Sequence, residues 1–264
     1  MMLRIAVHLE PHLHDRPFAA RWSGSRSLGY QGGEFNWRAH DAAEAVQLRA
    51  ETGLEVTCMG GATGGVPGAA GRPSLISEAD WERLTTDVDR AIGIAQSLGC
   101  KNLVMVPASL QAGWSEQRYH DEMVATLRML APRLEQGGVN AAIEPLNSRV
   151  DHKDCWCDTS AKAFAVVEAV GSPAVKVLYD LYHMAVMGDD LVSTIRRHHD
   201  LITYYHVAGV PGRHEPDAGE VDYRPVFDAI ASTGYSGYVG LEYGPSLPPV
   251  ESLQRVRVAF PDRD

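Results

Sequence analysis

Glu144, Asp180, His206 and Glu242 are the residues of this chain whose types and spacing lend themselves most readily to chemistry. Their separations are 36, 26 and 36 residues, each suited to one strand–helix unit of a parallel sheet. Each closes a run nearly free of charge, as Val139-Asn140-Ala141-Ala142-Ile143 precedes Glu144. A carboxylate at the end of such a run borders a poorly solvated interior and needs a partner. A bound cation is one such partner, and a salt bridge in a metal-free fold is the other. Three carboxylates and one imidazole make an oxygen-rich shell suited to Mg²⁺ or Mn²⁺, with Co²⁺ or Fe²⁺ tolerated because of the nitrogen. A closed structural zinc site would instead show thiolates.

Side chains so far apart in sequence meet only if successive strand ends are brought to one place. Eight short apolar or β-branched runs recur: Leu3 to His8, Tyr30 to Phe35, Leu54 to Met59, Asn102 to Val106, Val139 to Glu144, Val175 to Asp180, Leu201 to His206 and Gly237 to Glu242. Longer segments with helical apolar spacing separate them. This alternation predicts an α/β fold, a single (β/α)8 barrel whose working face lies at the carboxyl ends of its strands. Local punctuation supports the helices. Ser77 before Glu78-Ala79-Asp80 predicts an N-cap with an acidic first turn, and Gly99 ends that helix. Gly137-Gly138 and Gly171 end later ones, and Thr159-Ser160 opens the stripe Ala163, Phe164, Val167, Val170. Gly60 to Pro73 reads as a loop at the barrel mouth, while Pro11 to Gly33 holds a weak helical candidate among His12, His14 and turn formers.

The length of 264 residues suits one domain over residues 1–264. With 24 basic and 34 acidic residues the formal charge is -10, and no Lys/Arg run exists to track a phosphate backbone or an anionic membrane surface. Arg4 interrupts the opening apolar stretch, and nowhere do the roughly 18 apolar residues of a membrane span occur. Cys58, Cys100, Cys155 and Cys157 are too few for a disulfide framework, and Cys155-Trp156-Cys157 is not a C-x-x-C pair. These features predict a cytoplasmic protein without nucleic-acid or membrane partners.

The motifs Ile143-Glu144-Pro145-Leu146-Asn147, Tyr179-Asp180-Leu181-Tyr182-His183-Met184, Val210 to Pro216, Gly219-Glu220-Val221-Asp222-Tyr223 and Gly240-Leu241-Glu242-Tyr243 resemble the hydroxypyruvate isomerase family, within the xylose isomerase-like barrels. The likeness extends more weakly through Leu28 to Phe35 and Ala95 to Gly99. The resemblance implies that Glu144, Asp180, His206 and Glu242 bind one divalent metal, that Glu144 and Glu242 double as the acid–base pair, and that His183 and Arg213 hold substrate oxygens. It also implies a small-molecule substrate, a hydroxy-oxo acid or sugar, and a homo-oligomer, either dimer or tetramer. Position 206 is His where that family usually carries Gln and the related ketose epimerases carry His. Gly244 stands where a Lys is usual.

The implied reaction moves a carbonyl to the neighbouring carbon through an enediolate stabilised by the metal. A ketose 3-epimerase or a 3-oxo-acid decarboxylase would use the same ion. An apurinic endonuclease or a non-catalytic sugar-acid binder is a further alternative. His183 is expected in a loop past its strand, and Arg213 either grips substrate or steadies a loop beside Glu215, Asp217 and Glu220. His214 and Glu215 are expected to shape that loop. Glu34 and His8, at the first two strand ends, read either as site partners or as structural groups. Phe35 and Trp156 are mouth-lining candidates for which buried packing is the commoner fate.

Overall fold

The computed structural model describes residues 3–61 and 74–261. Its strands are β1 (Arg4–His8), β2 (Gly32–Asn36), β3 (Glu55–Gly60), β4 (Asn102–Met105), β5 (Asn140–Ile143), β6 (Val175–Asp180), β7 (Ile202–Val207) and β8 (Tyr238–Leu241). Each pairs in parallel with its neighbour in sequence, and β1 pairs with β8, so the sheet closes into a barrel. The helices are α1 (Phe18–Ser27), α2 (Ala42–Thr52), α3 (Trp81–Leu98), α4 (Glu116–Gly137), α5 (Ser160–Val170), α6 (Leu181–Met187), α7 (Leu191–His198), α8 (Arg224–Ser232) and α9 (Pro249–Ala259). The expected (β/α)8 barrel is the observed fold, with strand edges displaced by a residue or two.

Strand alternation decides what faces the barrel axis. Ala6, Ala142, Leu178, Tyr204 and Tyr238 belong to one small buried cluster, separate from the main core between sheet and helices. Two residues further along the same strands come His8, Glu144, Asp180, His206 and Gly240. The inner face therefore changes from apolar packing to polar chemistry within one strand repeat. Glu144 and Glu242 keep this alternation just beyond β5 and β8, because their backbone N–H groups still donate to Met105 O (3.3 Å) and Val207 O (3.2 Å). Below the cluster, Asn102 Oδ1 accepts from Thr203 Oγ1 at 2.7 Å and Asn140 Nδ2 donates to Thr203 Oγ1 at 3.0 Å. The axis is thus filled from the amino end, and the open space lies at the carboxyl ends.

Caps explain most helix limits. Asp41, Ser115 and Thr159 accept from backbone N–H groups at the starts of α2, α4 and α5. Gly138 ends α4 at φ 66°, a left-handed conformation that a side chain would disfavour. Three expectations change. Ser77 makes no side-chain cap; a 3-10 turn over Glu78–Asp80 precedes α3 instead. Buried Asp80 draws that turn in by accepting from Ser74 N at 3.2 Å and Arg83 Nη2 at 2.7 Å. Val170 is only partly buried at the end of the α5 stripe. His183 lies in a helix rather than a loop, because Asp180 Oδ1 accepts from the N–H groups of Tyr182 (2.8 Å) and His183 (3.3 Å) and so caps α6. The weak candidate in Pro11 to Gly33 is α1. Most of the expected mouth loop, residues 62–73, lies outside the described residues. No helix among those described is long and apolar enough to cross a membrane.

Candidate active site

The carboxyl ends of β5 to β8 bring Glu144, Asp180, His206 and Glu242 to one mouth. Ligand-type atoms of Glu144, Asp180, His183 and Glu242 all lie within 4.8 Å of one another. His206 stands beside them, its Nδ1 3.2 Å from Glu144 Oε1 and 3.3 Å from Glu242 Oε2. Its Nε2 is 3.0 Å from Glu34 Oε2, across the barrel from β2. Arg213 completes the group: Nη2 donates to Glu242 Oε2 at 2.6 Å and lies 3.7 Å from Asp180 Oδ2. Arg213 adopts φ 56°, an uncommon conformation outside glycine. The turn is closed by Gly209 N to His214 O (2.8 Å) and Arg213 N to Gly209 O (3.0 Å).

Burial makes the cluster electrostatically demanding. Asp180 is raised to about 6, because loss of water outweighs the attraction of Arg213 and Glu242 adds repulsion. Burial opposes charge on His206 as well, yet Glu34 and Glu242 carry it well above the usual imidazole range. Glu242 goes the other way: burial favours the acid, but His206 and Arg213 hold it well below the usual carboxylate range. His183 is lowered to about 4 by burial and then by Arg213. Asp180 Oδ2 and His183 Nε2 are buried without a hydrogen-bond partner, 3.5 Å apart. Clustered carboxylates with an unsatisfied Asp180 oxygen, and His206 Nδ1 directed between Glu144 and Glu242, fit a divalent cation.

A cavity of about 720 Å³ opens on this cluster, walled by Glu144, His183, Arg213 and Glu242 and by the segment from Val150 to Cys155. A second space of about 280 Å³ lies on the β1 side, bounded by His8, Glu34, Asn36 and His206. His8 pairs with Glu10 at 3.0 Å, and Glu10 in turn accepts from Asn36 N (2.8 Å) and meets His40 Nε2 (3.1 Å). Burial opposes a charge on His8, but Glu10 lifts it to about 9.

Among the other candidates, Glu34 is a direct partner of His206. His214 Nδ1 meets Gly244 O at 2.8 Å, and Glu215 accepts from Ser246 Oγ at 2.6 Å and Ser246 N at 3.0 Å. Both tie the loop after β7 to the segment after β8. Phe35 and Trp156 are packed: Phe35 lies against Phe18 and Trp22, and Trp156 stacks on Tyr119. His12 is buried edge-on against Tyr243, and His14 is exposed. Nothing in their residue types singles out Asn147, Asp151 or Tyr182 in the sequence. Yet Asp151 Oδ2 accepts from Asn147 Nδ2 (2.7 Å) and Tyr182 Oη (2.8 Å), bracing the cavity wall. The usable signal was their place within a few residues of Glu144 and Asp180.

The family model described as a xylose isomerase-like TIM barrel matches residues 24–258. The hydroxypyruvate isomerase of Escherichia coli (strain K12) is 30% identical over 246 residues, covering 92% of this chain and 94% of its own length. The 2-oxo-tetronate isomerase of Haemophilus influenzae is 29% identical over 247 residues, again covering 92% and 94%. Among solved structures, an AP endonuclease, family 2, from Brucella melitensis is similar at a TM-score of 0.87 with 26% identity, over 99% of this chain and 100% of that one. The chain therefore belongs to the xylose isomerase-like TIM-barrel family, among relatives of hydroxypyruvate isomerase, and is itself an isomerase.

Proposed function

We propose that this isomerase moves a carbonyl between adjacent carbons of a small hydroxy-oxo acid or sugar, with one divalent ion held by Glu144, Asp180, His206 and Glu242. The carrying observation is the setting of His206. Its Nε2 is committed to Glu34 at 3.0 Å, and its Nδ1 points between Glu144 Oε1 and Glu242 Oε2 at 3.2 and 3.3 Å. That is how a metal-binding imidazole is oriented, with a carboxylate on the far nitrogen. The oxygen-rich shell favours Mg²⁺ or Mn²⁺, with Co²⁺ or Fe²⁺ next. When bound, such an ion supplies Lewis-acid stabilisation of negative charge developing on the substrate's oxygens.

The chain's own groups do the rest. Glu144 and Glu242 stand three strands apart in the ring, so one can take the proton from the carbon beside the carbonyl and the other return a proton to its neighbour. Arg213, fixed by Glu242, and His183 line the same cavity and are placed to hold substrate oxygens. Hydroxypyruvate and 2-oxo-tetronate, the compounds in the relatives' names, are the first substrates to try. The Brucella likeness suggests DNA, but a formal charge of -10 and a cavity walled by carboxylates oppose a phosphate backbone.

The deciding experiment strips the enzyme with chelator, restores Mg²⁺, Mn²⁺, Co²⁺ or Zn²⁺ singly, and follows hydroxypyruvate, tartronate semialdehyde, 2-oxo-tetronate, a ketose panel and abasic DNA. Metal-dependent carbonyl migration in an acid or sugar is expected. Turnover indifferent to metal, epimerisation of ketoses without carbonyl migration, or cleavage of abasic DNA as the main activity would each overturn the reading.

A further inference from the structure

Two imidazoles stand within reach of the carboxylates, and their partners differ in kind. His206 has carboxylates at both nitrogens. His183 Nδ1 instead receives the backbone N–H of Asn147 at 3.3 Å and Asn147 Nδ2 at 2.6 Å. A backbone N–H only donates. The amide cannot be turned round either, because Asn147 Oδ1 accepts from the backbone N–H groups of Val150 (3.0 Å) and Asp151 (3.1 Å). Its nitrogen must therefore face His183 Nδ1 and Asp151 Oδ2, the latter at 2.7 Å. Nδ1 is an acceptor, and the proton of a neutral ring sits on Nε2. Nε2 is buried with no hydrogen-bond partner, 3.5 Å from Asp180 Oδ2, in a ring that lines the large cavity.

We propose that Asn147 is a positioning residue of this isomerase: it holds His183 as the Nε2–H tautomer, so that Nε2 donates to a substrate oxygen and is withheld from the metal ion. This rests on the reaction proposed above. A nitrogen carrying a proton has no lone pair for a cation, so although His183 lies as close to the carboxylates as a ligand would, the imidazole left to the ion is His206. A fixed N–H donor aimed at an oxygen that gains charge costs no reorganisation during the reaction. Asn147 is more than a loop brace in this scheme. In Asn147→Asp the side chain can still accept from Val150 and Asp151, but it offers Nδ1 an acceptor where the amide offered a donor.

The test is a long-range ¹H–¹⁵N correlation spectrum of the full-length enzyme labelled with ¹⁵N-histidine, with and without Mg²⁺, the His183 signals being assigned by their loss in His183→Gln. The wild type is expected to show protonated Nε2 and bare Nδ1 at neutral pH, unchanged by Mg²⁺. Asn147→Asp is expected to move the proton to Nδ1 and to lower kcat about 10²-fold, and the bared Nε2 of the variant, unlike that of the wild type, is expected to shift on adding Mg²⁺. A wild-type ring protonated on Nδ1, a wild-type His183 signal that shifts as a ligand on adding Mg²⁺, or an unmoved tautomer in Asn147→Asp would overturn the proposal. If that variant does not fold, the wild-type spectrum decides by itself. Absence of turnover on every acid and sugar would sink the reaction and leave this spectrum to be read independently.

Discussion

His206 shows how one side chain serves two neighbours. Glu34 takes its Nε2 and leaves Nδ1 facing Glu144 and Glu242. Removing the charge from Glu34 should loosen the ring without removing any proposed ligand. Glu34→Gln is expected to weaken Mn²⁺ binding about 10- to 100-fold, measured by calorimetric titration. The proposed acid–base pair gives a sharper expectation. Glu144→Gln and Glu242→Gln should each lose about 10² or more in kcat, with metal content measured in the same samples so that lost chemistry is separated from a lost ion. Activity within tenfold of wild type in both, with metal retained, would refute their role.

At the scale of elements, β8 owes its fit to Gly240. A Cβ there would come within 2.8 Å of His206 Cδ2 and also meet Glu34 Oε1. Both neighbours are buried and bonded to one another, so neither moves aside at low cost. Gly240→Ala is expected to destabilise the barrel by about 1–3 kcal/mol and to weaken metal binding, read by denaturant melts and by Mn²⁺ titration. An unchanged melt would show that the inner face has slack the packing does not suggest. The loop after β7 makes a pH-dependent contribution through Glu215. Burial would raise that carboxyl, but the bonds from Ser246 and Ser252 outweigh it and hold it at about 2, against 4.5 when unperturbed. A folded-state value below the unfolded one means the stabilisation is present above pH 4.5 and lost as pH falls towards 2. The melting-temperature gap between wild type and Glu215→Gln should therefore be widest near neutrality and narrow across that window.

For the whole molecule, clustering of Glu144, Asp180 and Glu242 at one end of a closed barrel concentrates charge in a chain whose formal net charge is -10. An ion bound only by the folded state should raise stability by mass action, about 2.7 kcal/mol when free ion is 100 times its dissociation constant. Thermal melts with excess chelator and with saturating Mn²⁺ should differ by several degrees, and Glu144→Gln should shrink the difference. Equal melts in wild type would mean that these carboxylates hold no ion in the folded state.

Much of this architecture is written locally. The strand runs and their order, the glycine stops of α3, α4 and α5, the Thr159 cap of α5, and the placing of Glu144, Asp180, His206 and Glu242 at strand ends follow from apolar period, caps and glycine stops, because those signals act over a few residues. His183 reads as loop from sequence because a cap made by Asp180, itself a site residue, is not distinguishable there from a carboxylate kept free. Most of the loop expected over Gly60 to Pro73 lies outside the described residues. What only the closed barrel decided is which groups touch: Glu34 with His206 across 172 residues, Arg213 with Glu242 across 29, and Asn147 with His183 across 36. Such contacts depend on strand register, on β1 meeting β8 and on side-chain rotamers, none of which leaves a periodic trace in the chain. Residue types at strand ends announced a possible cation site; the orientation of each imidazole, and so which is suited to the ion and which to substrate, belongs to the fold.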